Sequence, residues 1–398
     1  MADVVLVAAR DEEERIGETV AALREQFPDA EILVADDGSR DATAARAEDA
    51  GARVVRLPRR GKGQALTAAE REAPPGRLLL ADADLTGDLR ALTAVDADLA
   101  IAAFAERQGG GFGIAKRAAR GVIRALSGIA VREPLSGQRA LSPAARRAVF
   151  PLVAGFGCEV RSTIDAARAG LRIEEVELPL GHRATGRNLR GFAHRTHQLV
   201  DALLGAGPTA VNHRGLRLPV VGWLAGLRRD VWPVALIGLV DDVWSGPERG
   251  FRAHLGSGRT TGVLKLLGIP AVGFVRTRSL SGTVLVALSA NALNQLDTKP
   301  GRALKAYLVA AGAVGAPRRL AVCLLPYDLR EMGMLGDAGA NALGALLGLN
   351  SVSRLTARGR WIAIGALAGL TLLGERNSLG ALIEGTPVLR ELDALGRA

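Results

Sequence analysis

Apolar and polar positions alternate in two different ways along this chain. In the first half, short apolar runs trade places with amphipathic stretches. Val4–Ala8 is the first run, followed by the helix-like Glu12–Glu25. Glu31–Ala35 is the second, and it runs into Asp36-Asp37-Gly38-Ser39, with a helical Asp41–Ala50 behind it. Arg53–Leu57 and Arg77–Ala81 repeat the strand pattern, with Gly63–Glu72 helical between them, and the last strand ends in Asp82-Ala83-Asp84. Strands alternating with helices predict βαβ units and a mainly parallel sheet. Ligands of such sheets sit beyond the carboxyl ends of the strands, where both acidic clusters fall.

After about residue 200 the pattern changes to Gly-, Leu- and Ala-rich segments interrupted by arginine. Ser279–Leu296, Ala338–Ser353 and Trp361–Gly374 read as apolar helices, and Leu304–Pro317 is parted from Leu320–Tyr327 by Arg318 and Arg319. A spanning helix needs about 20 mostly apolar residues, and these candidates are shorter or glycine-rich. Hydropathy leaves open a soluble helical domain and a membrane-associated, even multi-pass, one. We read two domains, 1–200 and 201–398, the first α/β and the second all-α. Between them lies the basic stretch His182–His197, with Arg183, Arg187, Arg190 and Arg195.

A chain of 398 residues, 48% hydrophobic with 49 glycines, has ample material for two cores and no disordered signature. The formal charge of +10 suits phosphate ligands or an anionic membrane surface. Nucleic acid is disfavoured, because the basic residues are not interleaved with stacking aromatics. Cys158 and Cys323 are far apart and imply neither a disulfide framework nor a metal knuckle. The opening MADVVLVAARDEEER is too briefly apolar for a secretory signal.

The acidic strand ends suggest chemistry on a diphosphate. Carboxylate oxygens are the ligands hard divalent cations prefer, and such a cation neutralises phosphate charge. Asp82 and Asp84 sit together at one strand end, with Asp36, Asp37, Asp11 and Glu12 at two others. Arg59, Arg60 and Lys62 flank Gly61 and Gly63, offering cations and bare backbone to phosphates. Taken singly, each feature is equally well an acidic turn, a helix cap or a solvated basic loop.

In order and spacing, AARDEEERI, VADDGSRDAT, RRGKGQAL and ADADL resemble glycosyltransferase family 2 with its GT-A fold, over roughly the first 200 residues. The resemblance implies Mg²⁺ or Mn²⁺ at Asp84, with Asp82 beside it. It implies a nucleotide diphosphate sugar whose base and ribose face Asp36, Asp11 and Glu12, with Asp37 supporting that loop and Lys62 near the phosphates. Where the family opens on Pro and Asn, this chain has Ala9 and Arg10. PLSGQRAL and GFGCEVRSTIDAARAGLRIEEVELPLGHRATGR are similar to its polyprenyl-phosphate and small-acceptor branch. That similarity puts Ser136, Gly137, Gln138 and Arg139 on the acceptor side, Arg139 among the catalytic residues, and Arg183 and Arg187 over the donor diphosphate. Glu159 is the general-base candidate, needed for a hydroxyl acceptor but not for an anionic phosphate.

The second half has its own acidic pattern: Asp241-Asp242, then Asn291, Asn294 and Asp297, then Asp337. Carboxylates in apolar helices are costly and point to a site. With VNHRGLRLPVVGWLAG before them, these segments resemble the polyprenyl-phosphate sugar-1-phosphate transferase superfamily, which includes the phospho-N-acetylmuramoyl-pentapeptide transferases, over Asn212–Gly348. The resemblance implies a metal and nucleotide group of Asp241, Asp242, Asn294, Asp297 and Asp337. The Asp-Gly expected after the Asn-rich motif reads Asp297-Thr298-Lys299-Pro300-Gly301 here, and the family's histidine-rich loop has no counterpart, the nearest histidine being His254. The joint expectation is a hexosyltransferase at the cytoplasmic face of a membrane. It would act on polyprenyl phosphate or on a small phosphorylated acceptor, with membrane lipid as a partner and a possible phosphosugar transfer in the helical half.

Overall fold

The computed structural model describes residues 2–104, 113–180, 189–244, 261–376 and 378–397. The chain divides into two compact units, the first spanning residues 1–207 with 214–217, the second holding the rest.

The first unit runs β1 (Val4–Ala9), α1 (Ile16–Gln26), β2 (Glu31–Asp36), α2 (Thr43–Asp49), β3 (Arg53–Arg56), α3 (Lys62–Glu70), β4 (Leu78–Asp82), α4 (Arg90–Ala94) and β5 (Leu99–Phe104). It continues with α5 (Ile114–Ser127), β6 (Arg139–Leu141), α6 (Pro143–Val149), α7 (Cys158–Arg168), β7 (Ile173–Leu178) and α8 (Leu189–Ala206). The seven strands lie in the order β3-β2-β1-β4-β6-β5-β7. All neighbours pair in parallel except β6, which is antiparallel to both β4 and β5.

Side chains of a strand alternate between faces, so a strand covered on both sides must be apolar throughout. The strand β1 meets that demand: Val5, Val7 and Ala9 enter one core, Val4 and Leu6 the other. The expected strands therefore appear within a residue or two of their apolar runs, whereas the short β6 carries no such run. Its Arg139 is fully buried, which hides the strand from a hydrophobicity reading.

Helix α1 begins at Ile16 rather than at Glu12. The intervening residues are drawn into the loop: Asp11 takes a positive φ of 50°, and the Glu12 amide donates to Thr43 Oγ1 at 2.8 Å. Between β1 and β4 the strand order reverses, and this switch point is where a ligand crevice opens in open α/β sheets.

The second unit is helical: α9 (Trp232–Trp244), α10 (Thr261–Thr277), α11 (Leu280–Leu296), α12 (Arg302–Val314), α13 (Arg319–Leu329), α14 (Gly336–Arg354), α15 (Ala357–Arg376), α16 (Leu379–Gly385) and α17 (Pro387–Ala394). The long α14 is its buried centre, packed on α9 and α11. Small residues set that approach. A Cβ on Gly344 would stand 2.6 Å from the Ala290 Cα, and one on Gly238 would stand 2.3 Å from the Asp337 carbonyl oxygen. Among the described residues, no helix is long and apolar enough to cross a membrane.

Candidate active site

Three βα loops meet at the carboxyl edge of the sheet. The register sets Asp36 beside Ala9 and Asp82 beside Ala8, so β1 alone separates the two acidic strand ends. At a strand spacing of about 4.8 Å, the two aspartates begin roughly 10 Å apart on one edge.

The loops are tied by their own side chains. Asp36 accepts the Ser39 amide at 3.0 Å and the Ser39 hydroxyl, while Ser39 Oγ accepts the Asp11 amide at 3.0 Å. Asp11 in turn accepts the Arg40 amide at 2.9 Å. Asp37 accepts the amides of Arg60 at 2.6 Å and Gly61 at 2.9 Å, bracing the loop that leads into α3. Burial raises the Asp37 carboxyl above the usual range, against the pull of those two amides. The turn needs glycine at position 38, where φ is 70° and a Cβ would meet the Arg59 amide nitrogen at 2.8 Å.

The centre of the site is an ion-paired triangle. Lys62, at the start of α3, reaches Asp82 Oδ1 at 2.6 Å and Glu159 Oε1 at 2.8 Å. Gln138 Nε2 donates to the other Asp82 oxygen at 2.9 Å. Burial would lower the Lys62 ammonium, but the charges of Asp82 and Glu159 outweigh it and hold the group well above the ordinary lysine range. Gly137 makes room for the triangle, since a Cβ there would lie 2.3 Å from Asp82 Oδ2 and 2.6 Å from Lys62 Nζ. The Ser-Gly-Gln-Arg segment and the Asp-x-Asp strand end, distant in sequence, are thus in direct contact.

Two predicted roles change. Arg139 is not placed to touch a substrate. It is 2% exposed, and its guanidinium donates to Ser136 O, Ser162 Oγ and Thr163 Oγ1 at 2.8–3.0 Å, fastening the Ser136–Gln138 loop to α7. Glu159 is not a free general base, because one carboxylate oxygen pairs with Lys62 and the other accepts the Cys158 thiol at 3.1 Å. Burial, with the Glu159 charge beside it, pushes that thiol well up. Ser136 lies buried next to Gln138, with its hydroxyl 3.3 Å from Gln138 Oε1. Asp201 escaped sequence reasoning: from α8 its carboxylate accepts the Phe156 amide at 3.1 Å and holds the Gly155-Phe156-Gly157 turn before α7. Arg183 and Arg187 lie outside the described residues.

Asp84 differs from its neighbours. It is half-buried just past β4 and, among the described residues, has no hydrogen bond or ion pair. Among those residues no three acidic, histidine or cysteine side chains gather around one point as a metal cage would require. Among the described residues the protein therefore offers a divalent cation one unengaged carboxylate, Asp84, rather than a full cage, and such a cation would need further oxygen ligands from its substrate.

The helical unit gathers a second group. Lys265 on α10 pairs with Asp241 and with Asp337, each at 2.5 Å. Both oxygens of Asp242 cap α14, accepting the Asp337 and Ala338 amides at 2.9 and 2.8 Å. Asp297 is pushed well up by burial and by the charges of Asp328, Asp337 and Asp242. Asn294 stands one turn earlier on α11, while Asn291 instead donates to Thr371 Oγ1 at 3.1 Å and so ties α11 to α15. Lys265 and Asp328 carried no sequence signal, one being a lone lysine in an apolar helix and the other a lone aspartate two residues after Pro326. Since Lys265 and the amides at the start of α14 already engage Asp241, Asp337 and Asp242, this group as built does not fit the metal cluster expected of it.

Comparison with known proteins bears on the first unit. The glycosyl transferase family 2 pattern matches residues 4–95. Protein RfbJ of Shigella flexneri is 33% identical over 84 residues, 21% of this chain, and the match spans 65% of that protein's length. Glucosyl-3-phosphoglycerate synthase of Mycobacterium tuberculosis, solved with Mn²⁺, uridine diphosphate and glucosyl-3-phosphoglycerate, is 26% identical over 52% of this chain and 79% of its own, with a TM-score of 0.42. The same enzyme solved with Mg²⁺ and uridine diphosphate gives 26% identity over the same shares and a TM-score of 0.43. Residues 4–95, the strand ends of Asp36, Asp37, Asp82 and Asp84 included, thus match the glycosyl transferase family 2 pattern.

Proposed function

We propose that the first unit is a hexosyltransferase of the EC 2.4 class that uses a nucleotide diphosphate sugar with Mg²⁺ or Mn²⁺. The observation that carries this reading is the division of labour within Asp-x-Asp: Asp82 is locked to Lys62 and Gln138, and Asp84 is left over at the switch point of the sheet. The family match over the same residues supports it.

Asp84 would hold the cation, which when bound neutralises charge on the departing nucleoside diphosphate. Lys62 fixes Asp82 and Glu159 relative to one another. Gly137 and Gln138 close the acceptor side, and Arg139 positions that loop from behind. Asp36, Asp11 and Glu12 line the end of the site assigned to base and ribose, and Arg183 and Arg187 are assigned to the diphosphate.

An anionic acceptor fits this arrangement best. A phosphate oxygen is already a nucleophile and needs no proton removed, so an ion-paired Glu159 is no handicap. We take polyprenyl phosphate at the cytoplasmic face of a membrane as the acceptor, with a small phosphorylated acceptor as the second reading. The test is a donor screen on the purified full chain with Mn²⁺ or Mg²⁺, following nucleoside diphosphate release with undecaprenyl phosphate or a phosphorylated polyol. Asp84→Asn should lower turnover about a thousandfold while leaving far-UV circular dichroism unchanged, since metal charge stabilisation is worth several kcal/mol. Unchanged turnover would remove the cation role. Release of nucleoside monophosphate would instead assign phosphosugar transfer to the helical unit.

A further inference from the structure

A helix on the surface of a water-soluble domain turns its polar side outward. Helix α15 does the opposite. Its exposed face carries Trp361, Ile362, Leu372 and Leu373, which are 50–66% exposed, and no charged residue occurs from Trp361 to Gly374. Helix α10, packed like α15 on α11, exposes Leu267 and Phe274 in the same way, at 67% and 58%. Arginines close the ends of both helices: Arg358 and Arg360 before the α15 stripe and Arg376 after it, Arg276 and Arg278 at the end of α10.

Charge identifies what covers these faces. The second unit contains 20 Lys and Arg against 12 Asp and Glu, while the first contains 31 against 29, so +8 of the excess of +10 belongs to the second unit. Much of its acid is turned inward or paired, as with Asp241, Asp337 and the Asp393 that grips Arg302. A second copy of this chain would bring arginine against arginine. Anionic lipid headgroups would meet the arginines, and acyl chains the apolar stripe. From Trp361 to Leu373 the stripe runs about 18 Å at 1.5 Å per residue, short of the ~30 Å hydrocarbon core but sufficient for one leaflet.

We propose that the outward faces of α10 and α15 seat the helical unit in one leaflet of an anionic bilayer, without crossing it. The inference does not depend on the sugar-transfer reading, although a lipid-phosphate acceptor would be met on the same surface.

Sedimentation of the full chain with vesicles tests it, comparing phosphatidylglycerol–phosphatidylethanolamine with pure phosphatidylcholine. The chain should bind the anionic vesicles about tenfold more tightly. The double variant Ile362→Glu/Leu373→Glu should weaken that binding about tenfold or more, because a charged side chain opposes immersion of the apolar face. Both positions are exposed, and unchanged circular dichroism would certify the fold. Arg358→Gln/Arg376→Gln should erase the preference for anionic lipid. Wild-type chain left in the supernatant, or a glutamate double variant that binds as tightly, would overturn the proposal. So would a lipid-free dimer that the glutamate variant dissociates, since the occupant would then be a second copy. Asp84→Asn should bind vesicles like wild type. Vesicle binding without nucleoside diphosphate release therefore defeats only the enzymatic reading, and sugar transfer to a soluble acceptor by a chain indifferent to vesicles defeats only this one.

Discussion

Replacing Lys62 by methionine removes one charge from the centre of the site and leaves two carboxylates facing each other. Lys62 holds Asp82 at 2.6 Å and Glu159 at 2.8 Å, and the three side chains are 19%, 29% and 6% exposed. At about 4 Å between charge centres and an effective dielectric near 20, each pair contributes roughly 4 kcal/mol of attraction before desolvation. Removing one partner of a buried pair typically costs about 3–5 kcal/mol, because the survivor is stranded. The partial exposure of Lys62 and Asp82 brings our expectation to about 2–4 kcal/mol. The four tryptophans (Trp223, Trp232, Trp244 and Trp361) and both tyrosines (Tyr307 and Tyr327) belong to the second unit, so fluorescence is silent on the first. Hydrogen exchange read by mass spectrometry on peptides covering 78–82 and 158–168 gives the opening free energy where it matters. Lys62→Met should lower it by the stated amount, and adding Glu159→Gln should recover about half, since a neutral amide no longer repels Asp82. A loss below about 0.5 kcal/mol, or strict additivity of the two substitutions, would refute the triangle as an energetic unit. Raising pH should not disturb the pair before strongly alkaline conditions. A lysine held above its unfolded value keeps its stabilisation below that value and loses it only as pH climbs through the folded one.

Gly137→Ala puts a methyl 2.3 Å from Asp82 Oδ2, so the loop must retreat by about 1 Å; turnover should fall about a hundredfold with only a small loss of stability, and wild-type kinetics would dismiss the contact. Arg139→Met leaves the acceptors Ser136 O, Ser162 Oγ and Thr163 Oγ1 without their donor and should cost about 3 kcal/mol by hydrogen exchange. Arg139→Lys should fail to rescue it, because an ammonium cannot reproduce the planar fork, and full rescue would show that charge alone matters. In the helical unit, burial first and then a neighbouring aspartate raise Asp242 to about 7 and Asp337 to about 6. Folded values above unfolded ones give stability that is complete at low pH and lost as pH rises through 6 and 7. Asp241, held at about 2 by Asp337 and Lys265 against its burial, adds stability that is lost only in acid. In chelating buffer the tryptophan unfolding midpoint should therefore be higher near pH 5 than at pH 8, and a flat or rising profile would refute the assignment.

The sequence alone determined the alternation of the first unit. Both faces of β1 and β4 are covered, so their runs had to be continuously apolar, and continuous runs are visible without any structure. It also determined that acid accumulates at strand ends, and it made Asp241, Asp242, Asp297 and Asp337 conspicuous as carboxylates in apolar helices, while their grouping came only from the family resemblance. What each carboxylate does was decided by tertiary structure. Nothing in the spacing between Lys62, Asp82 and Glu159 says that one ammonium holds both acids, since α3, β4 and α7 meet only after the sheet has closed. Arg139 reads as a ligand-binding cation until burial shows its donors spent on the protein. Asp82 and Asp84 are equivalent as letters, yet one is neutralised by Lys62 and the other is not. The apolar stripe of α15 shows the same limit: the sequence gives its hydrophobicity, but only packing reveals which face the protein left uncovered.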